Sequence, residues 1–330
     1  MTVARLITIL LLLVLACGVE SGPAPGSTSE TTTTSSAVTS TGLTPHFRAW
    51  LTANGYGTYG FARDDLSNGS FGGKASASDP VTNQPVIFIH GNSDRALGDG
   101  SALNTGWAAS RAYFLSKGYT QAELYATTWG PADVLASSQQ YHSRAYLEYQ
   151  RAFIQAVKAY TGATKVDIVA HSMGVTLGRK AIEGGAGDDP AAGGSYSLGA
   201  PLTSMVDAFV GIAGANRGLT SCYLSGATTP TCDSVNGLYP GYMFGAFGPV
   251  GVSSYLSAIN ATSHDEGSSV YSIWSSADEI VGAGCIVWYQ NTCAIPGQNG
   301  QVSFSTYGHV GSKDLTGYTQ WRMVKYHATN

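Results

Sequence analysis

With 330 residues, only 12% of them charged, and a net charge of −4, the chain can build one large α/β domain or two smaller ones. It carries no basic stripe, which excludes nucleic acid as a partner class. Sparse charge, 42 glycines and 19 tyrosines suit the neutral surface of an exported protein.

Arg5 precedes the apolar run Leu6–Ala16, which is too short for a spanning helix and right for the core of a signal peptide over residues 1–18. Two processing routes stand. Cleavage after Ala16 or Gly18 would release the chain. Val14-Leu15-Ala16-Cys17 also resembles a lipobox, which would acylate Cys17 and give the protein a lipid anchor on the outer surface. Residues 19–42 are Ser/Thr-rich with Pro and Gly and cannot form a core, so they read as a disordered tether. Residues 43–330 are expected to form a single catalytic domain, taken as a monomer.

Residues 43–80 are Gly-rich and irregular, with one short helix expected around His46 to Ala53. Pro85-Val86-Ile87-Phe88-Ile89 reads as a buried strand that ends in His90-Gly91-Asn92. A helix follows from Trp107 to Lys117, stopped by Gly118, then a strand from Glu123 to Thr128. Tyr146, Tyr149, Phe153, Ile154 and Val157 give an apolar stripe to a helix over Tyr141–Tyr160, closed by Gly162. Val166 to Val169 is a further buried strand, and Val175 to Ile182 a further helix. Later strands are expected at Ala208–Ala213, Val270–Trp274 and Gln301–Ser305, and a last helix at Lys313–Tyr326. This alternation predicts an α/β fold, a mostly parallel sheet with helices on both faces. Residues 218–265 lack a clear period and read as a small cap over the sheet.

Between the Val166 strand and its helix stands Ala170-His171-Ser172-Met173-Gly174. This is a nucleophile elbow, G-x-S-x-G, with Ala in the first Gly position. The turn needs small residues two before and two after the serine, because strand and helix backbones pass close beside it. Ser172 is the candidate nucleophile, and Gly174 meets the second steric demand.

A serine hydroxyl needs a base to take its proton and an acid to orient that base. In this arrangement acid and base follow the serine on later loops. Asp278 stands directly after the Val270–Trp274 strand, and Glu279 beside it is expected to project the other way. Downstream only His309 and His327 remain. His309 lies in a Gly-flanked loop after a strand, whereas His327 sits at the frayed end of the last helix. The triad is therefore read as Ser172, Asp278 and His309. The oxyanion hole is assigned to the backbone N–H groups of Met173 and Asn92, with His90 and Gly91 supporting that loop. His171 is expected to point away from the reaction. His46, His142 and His264 read as surface or cap residues, and Asp207, Asp233 and Asp265 as solvated. Trp129, Tyr141, Tyr242, Phe244 and Phe247 are candidates for an aromatic mouth.

Beside Cys17 the chain has Cys222, Cys232, Cys285 and Cys293. Two local disulfides, Cys222–Cys232 and Cys285–Cys293, are one of three connectivities, and each pair brackets turn-forming residues. A zinc site is the alternative, although the spacing lacks C-x₂-C and no histidine is close. Nothing calls for a cofactor or a metal.

His90-Gly91-Asn92, the elbow and Ser275-Ser276-Ala277-Asp278 resemble the secreted lipases of class 2. Pro85–Asn92, Val166–Val175, Arg217-Gly218-Leu219, Pro230-Thr231-Cys232, the Cys285/Cys293 pair and Gly308-His309 are more closely similar to the lipase-like extracellular poly(3-hydroxybutyrate) depolymerases. The likeness spans most of residues 84–311. It implies an α/β-hydrolase fold, the triad reached above, two local disulfides, and a lipid or polyester ester as substrate. It ends before about residue 80, and residues 236–265 are shorter than the depolymerase cap, so the substrate surface stays open. A lipase or carboxylesterase, a polyester depolymerase and a non-catalytic binding module are the three functions to separate. The last would be expected to lack a triad member, and here all three are present.

Overall fold

A computed structural model describes residues 41–330; the expected signal peptide, the lipobox at Cys17 and nearly all of the tether lie outside the described residues. The first half of the chain gives β1 (Gly42–Leu43), α1 (Pro45–Ala53), β2 (Ser70–Gly72), β3 (Val86–Ile89), α2 (Ala108–Ser116), β4 (Leu124–Thr127) and α3 (Arg144–Thr161). Then come β5 (Val166–His171), α4 (Met173–Glu183), the hairpin β6 (Ala186–Asp189) and β7 (Gly194–Ser197), β8 (Val206–Ile212) and α5 (Thr220–Ser225). The remainder is β9 (Tyr242–Met243), β10 (Pro249–Val250), α6 (Ser254–Ile259), β11 (Ser269–Ser275), β12 (Ile286–Val287), β13 (Gln290–Asn291), β14 (Gly300–Phe304), α7 (Gly311–Asp314) and α8 (Gly317–Tyr326).

Eight strands form one sheet in the order β1-β2-β4-β3-β5-β8-β11-β14, parallel except where β2 meets β4. The side-chain period of two divides each central strand between two apolar clusters. Ile87, Ile89, Ile168 and Ala170 face α3 and α4, together with Phe153, Val157 and Leu177. Val86, Phe88, Val169 and Val210 face α2 and α8, with Trp107, Phe114 and Met323. Burial on both faces is why β3 is an unbroken apolar run and β5 is apolar at four of its six positions. Parallel strands deliver their following loops to one edge of the sheet, and this edge carries residues 90–94, 172, 278 and 309.

Asp167, 1% exposed, is polar near the start of β5, as His171 is at its end. The register against β8 shifts between Val166 and Ile168, so β8 carries one extra residue there. Asp167 Oδ1 accepts from the N–H of Ala208 in that irregular stretch (3.0 Å) and from Gln84 Nε2 (2.7 Å). Burial pushes its carboxyl up to about 8.

Several boundaries differ from expectation for local reasons. α3 starts later than Tyr141 because the Ser143 side chain caps it by accepting from Tyr146 N; Gly162 ends it at φ 70°. The short β1 and β2 fall within the stretch read as irregular, since two or three residues show no alternation. The last helix is two helices, not one. Leu315 and Thr316 separate α7 from α8, and Gly317 lies where a Cβ would come within 2.9 Å of Tyr113 on α2. The cap stretch holds α5, the β9–β10 hairpin and α6. No helix among the described residues is long and apolar enough to cross a membrane.

Asp167→Asn should keep both acceptor contacts and stabilise the fold. In the unfolded chain the carboxyl ionises near pH 4, in the fold near 8. Wild-type stability from this group is therefore lost as pH rises from about 4 to 8. The variant's Tm advantage should grow over that window; an advantage that shrinks with pH would contradict the assignment.

Candidate active site

Ser172 joins β5 to α4 with φ 55° and ψ −130°, a left-handed conformation that a non-glycine residue holds only under constraint. Its N–H donates to Ile212 O (2.8 Å). The constraint is close packing. A Cβ on Gly174 would lie 2.3 Å from His90 O, and one on Gly91 would lie 2.8 Å from Ser172 Cβ. Ala170 at the first small position is fully buried. Met173 opens α4, so its N–H is among the first-turn donors without an intrahelical acceptor.

The loop after β3 is built around His90. Its Nδ1–H donates to Gly91 O (2.7 Å), and Nε2 accepts from Trp129 N–H (3.0 Å). Trp129 Nε1 donates to His90 O (2.9 Å), and the two rings stack at 5.1 Å. Full burial pulls the His90 pKa down to about 4, so the ring is neutral. The Asn92 side chain ties this loop to residues 134–139 by donating to Ser137 O (2.9 Å).

Asp278 follows β11 and is 2% exposed. Its Oδ1 accepts from the N–H groups of Ile280 (2.9 Å) and Val281 (2.8 Å). His309 Nδ1–H donates to its Oδ2 (2.8 Å), which fixes the tautomer and leaves Nε2 as the acceptor. His309 and Ser172 line one cavity of about 350 Å³.

Four residues depart from expectation here. Glu279 does not project away, because its Oε2 accepts from the His309 N–H (2.9 Å). His171 does not point away either. Its Nε2–H donates to His309 O (3.2 Å) and its ring lies 4.5 Å from that of His309. Nδ1 of His171 is buried without a partner, and burial holds the ring's pKa well below 6.5. His142, read as a surface or cap residue, is fully buried against Tyr255, with Nδ1–H donating to Asn236 O (3.0 Å); burial lowers its pKa to about 4. Asp207 is not simply solvated, since Lys165 pairs with it at 3.1 Å.

The cavity walls are not aromatic. Leu103, Val134, Leu219, Leu238, Ile280 and Val310 are among the apolar lining residues, and Ser137, Ser138, Ser221 and Thr229 are hydroxyl-bearing ones; the Thr231 hydroxyl is committed to the Ser137 and Gln140 carbonyls. Trp129 is buried beside His90, and Tyr141 reaches Asp189. Tyr242, Phe244 and Phe247 stand exposed on the β9–β10 hairpin and the turn within it, off the cavity. Cys222–Cys232 and Cys285–Cys293 are joined as disulfides. Among the described residues, the atoms grouped most like a metal site belong to Asp278, Cys285 and Cys293. That set does not fit a cation, because both sulfurs are in the disulfide and the carboxylate holds His309.

The parallel core, the strand order and the strained serine turn at the sheet edge define an α/β hydrolase. Residues 83–322 match the sequence model of the family described as Lipase (class 2). The chain therefore belongs to the class 2 lipases, a family of lipase-type ester hydrolases. Its fold is similar to that of Aspergillus fumigatus lipase B, at 14% identity and a TM-score of 0.51, covering 82% of this chain and 59% of that one. It is also similar to the mature Bacillus licheniformis lipase BlEst2, at 9% identity and a TM-score of 0.50, covering 76% of this chain and 96% of that one.

Gly174→Ala should cost about 2–3 kcal/mol or more, because the clash is with backbone. Gly178→Ala meets only side-chain ends, Ile89 Cδ1 at 3.0 Å first, and gains about 1 kcal/mol of helix propensity. Denaturant titration should find Gly178→Ala within about 1 kcal/mol of wild type; equal losses in the two variants would refute this packing account. Acid sensitivity follows from His90, His142 and His171. Their folded pKa values lie below the unfolded 6.5, so their stability is present above about pH 6.5 and is lost as pH falls toward 4. A Tm that stays flat from pH 6.5 to 4.5 would contradict neutral burial.

Proposed function

We propose that the protein is an exported serine ester hydrolase of the lipase or carboxylesterase type. The observation that carries this reading is the meeting, in one cavity, of a strained Ser172 with His309 bonded to a buried Asp278. Ser172 Oγ attacks the ester carbonyl as His309 Nε2 takes its proton. The N–H groups of Met173 and Asn92 receive the oxyanion. Asp278 holds the imidazole and stabilises its protonated form. The proton passes to the leaving alcohol, and a water activated by His309 then releases the acid from the acyl-enzyme. Two disulfides support an oxidising, extracytoplasmic location.

A polyester depolymerase is the second reading. Ser137, Ser138, Ser221 and Thr229 on the cavity wall favour it, since a polyester presents further carbonyl acceptors beside the scissile bond. Ser172→Ala should leave the fold intact and lower kcat roughly 10⁴–10⁶-fold. Triglyceride emulsions and amorphous poly(3-hydroxybutyrate), assayed with wild type and variant, separate the readings. Ser172-dependent release from triglyceride alone makes a lipase, and clearing of the polyester alone a depolymerase. Full activity in Ser172→Ala would refute both.

A further inference from the structure

Lys313 is fully buried, four residues after His309. An ammonium leaves water at a cost of several kcal/mol unless its donors are satisfied. Here Nζ donates to Asp94 Oδ2 (2.7 Å) and to Gly106 O (2.6 Å), and it lies 5.4 Å from the centre of the Trp107 ring. Asp94, 4% exposed, lies two residues after Asn92. Its Oδ1 accepts from the N–H groups of Arg95 (2.8 Å) and Gly106 (2.9 Å). Its own N–H closes a turn onto Gly91 O (3.2 Å). Between Asn92 and Asp94, Ser93 sits at φ 63°, and Asn104 Nδ2 donates to its carbonyl (3.2 Å). At the other end, Lys313 N donates to Val310 O (3.0 Å) and Ser312 N to Gly308 O (2.9 Å), so α7 is continuous with the His309 turn.

One ion pair thus joins two loops that are 219 residues apart in sequence. One loop carries the oxyanion group and the other carries the base. The His171 ring, packed against His309, has its Nδ1 where a Cβ on Gly91 would be 3.2 Å away, so it occupies the space between the same loops. We propose that Lys313, acting through Asp94, is a positioning residue that sets the separation of the Asn92 loop from His309. This rests on the triad reading above. An apolar pair could fill the volume, but it would not fix direction, and a displacement of about 1 Å in such a site lowers turnover on the order of 100-fold.

The test is the variant Asp94→Asn/Lys313→Met in the full chain. Asn keeps the Oδ1 acceptor for Arg95 and Gly106, and Met fills the lysine stem, so what is lost is the ammonium itself: its pair with Asp94, its bond to Gly106 O and its 3.6 Å approach to Asp314. Thermal unfolding, steady-state kinetics and the stopped-flow acylation burst on p-nitrophenyl butyrate are compared with wild type and with Ser172→Ala. The expected result is cooperative unfolding, KM within about threefold, and kcat and acylation rate lowered about 10–100-fold. Folded double variant with wild-type kcat and burst rate would overturn the proposal while leaving the triad intact. Activity retained in Ser172→Ala would overturn the triad reading and this proposal with it. Should the double variant fail to fold, Lys313→Arg decides. It keeps the charge but moves the contact, so lowered kcat at unchanged KM supports positioning and unchanged kcat overturns it.

Discussion

Everything at the site depends on how closely β3, β5 and α4 pass one another at Ser172. Gly91 and Gly174 face each other's strands across gaps that no Cβ could occupy, and the serine between them is held at a left-handed φ. Such a conformation persists only where its surroundings over-determine it. Two apolar clusters supply that rigidity, one on each face of the sheet. Because the central strands are parallel, the loops after β3, β5, β11 and β14 emerge on one edge. The remaining groups reach the serine by that geometry rather than by proximity in sequence.

Electrostatics then distinguishes one imidazole from its neighbours. His90, His142 and His171 are held neutral by burial, each hydrogen-bonded to a backbone carbonyl. His309 alone among these four has a carboxylate on its Nδ1. His90 serves structure, clamping the loop after β3 to Trp129, and His171 underlies the backbone of His309. Lys313 and Asp94 place an internal charge pair behind the same loops.

Much of this was legible in the chain. The Val166–Val169 run followed by a serine between small residues can only be a buried strand turning sharply into a helix, and the structure has that turn. The Ser143 cap and the Gly162 stop bound α3 by local rules, and the cysteines pair as their spacing suggested. What escaped was set by tertiary contact. β1 and β2 are too short to show a period. The glycine that opens α8 answers to Tyr113 on another helix. Directions in irregular loops, such as those of Glu279 and the cavity-lining Leu103 and Ile280, follow from no periodicity. A bland reading of His171 and His142 failed because burial of a polar ring depends on which distant carbonyl meets it.

The most direct test of the central claim is the site of covalent capture. The protein would be treated with an alkyl fluorophosphonate, digested and mapped by mass spectrometry. One phosphonyl adduct is expected, on Ser172, formed fast in wild type and at least about 100-fold more slowly in His309→Ala. No adduct, an adduct on another serine, or equal rates in the two proteins would contradict it.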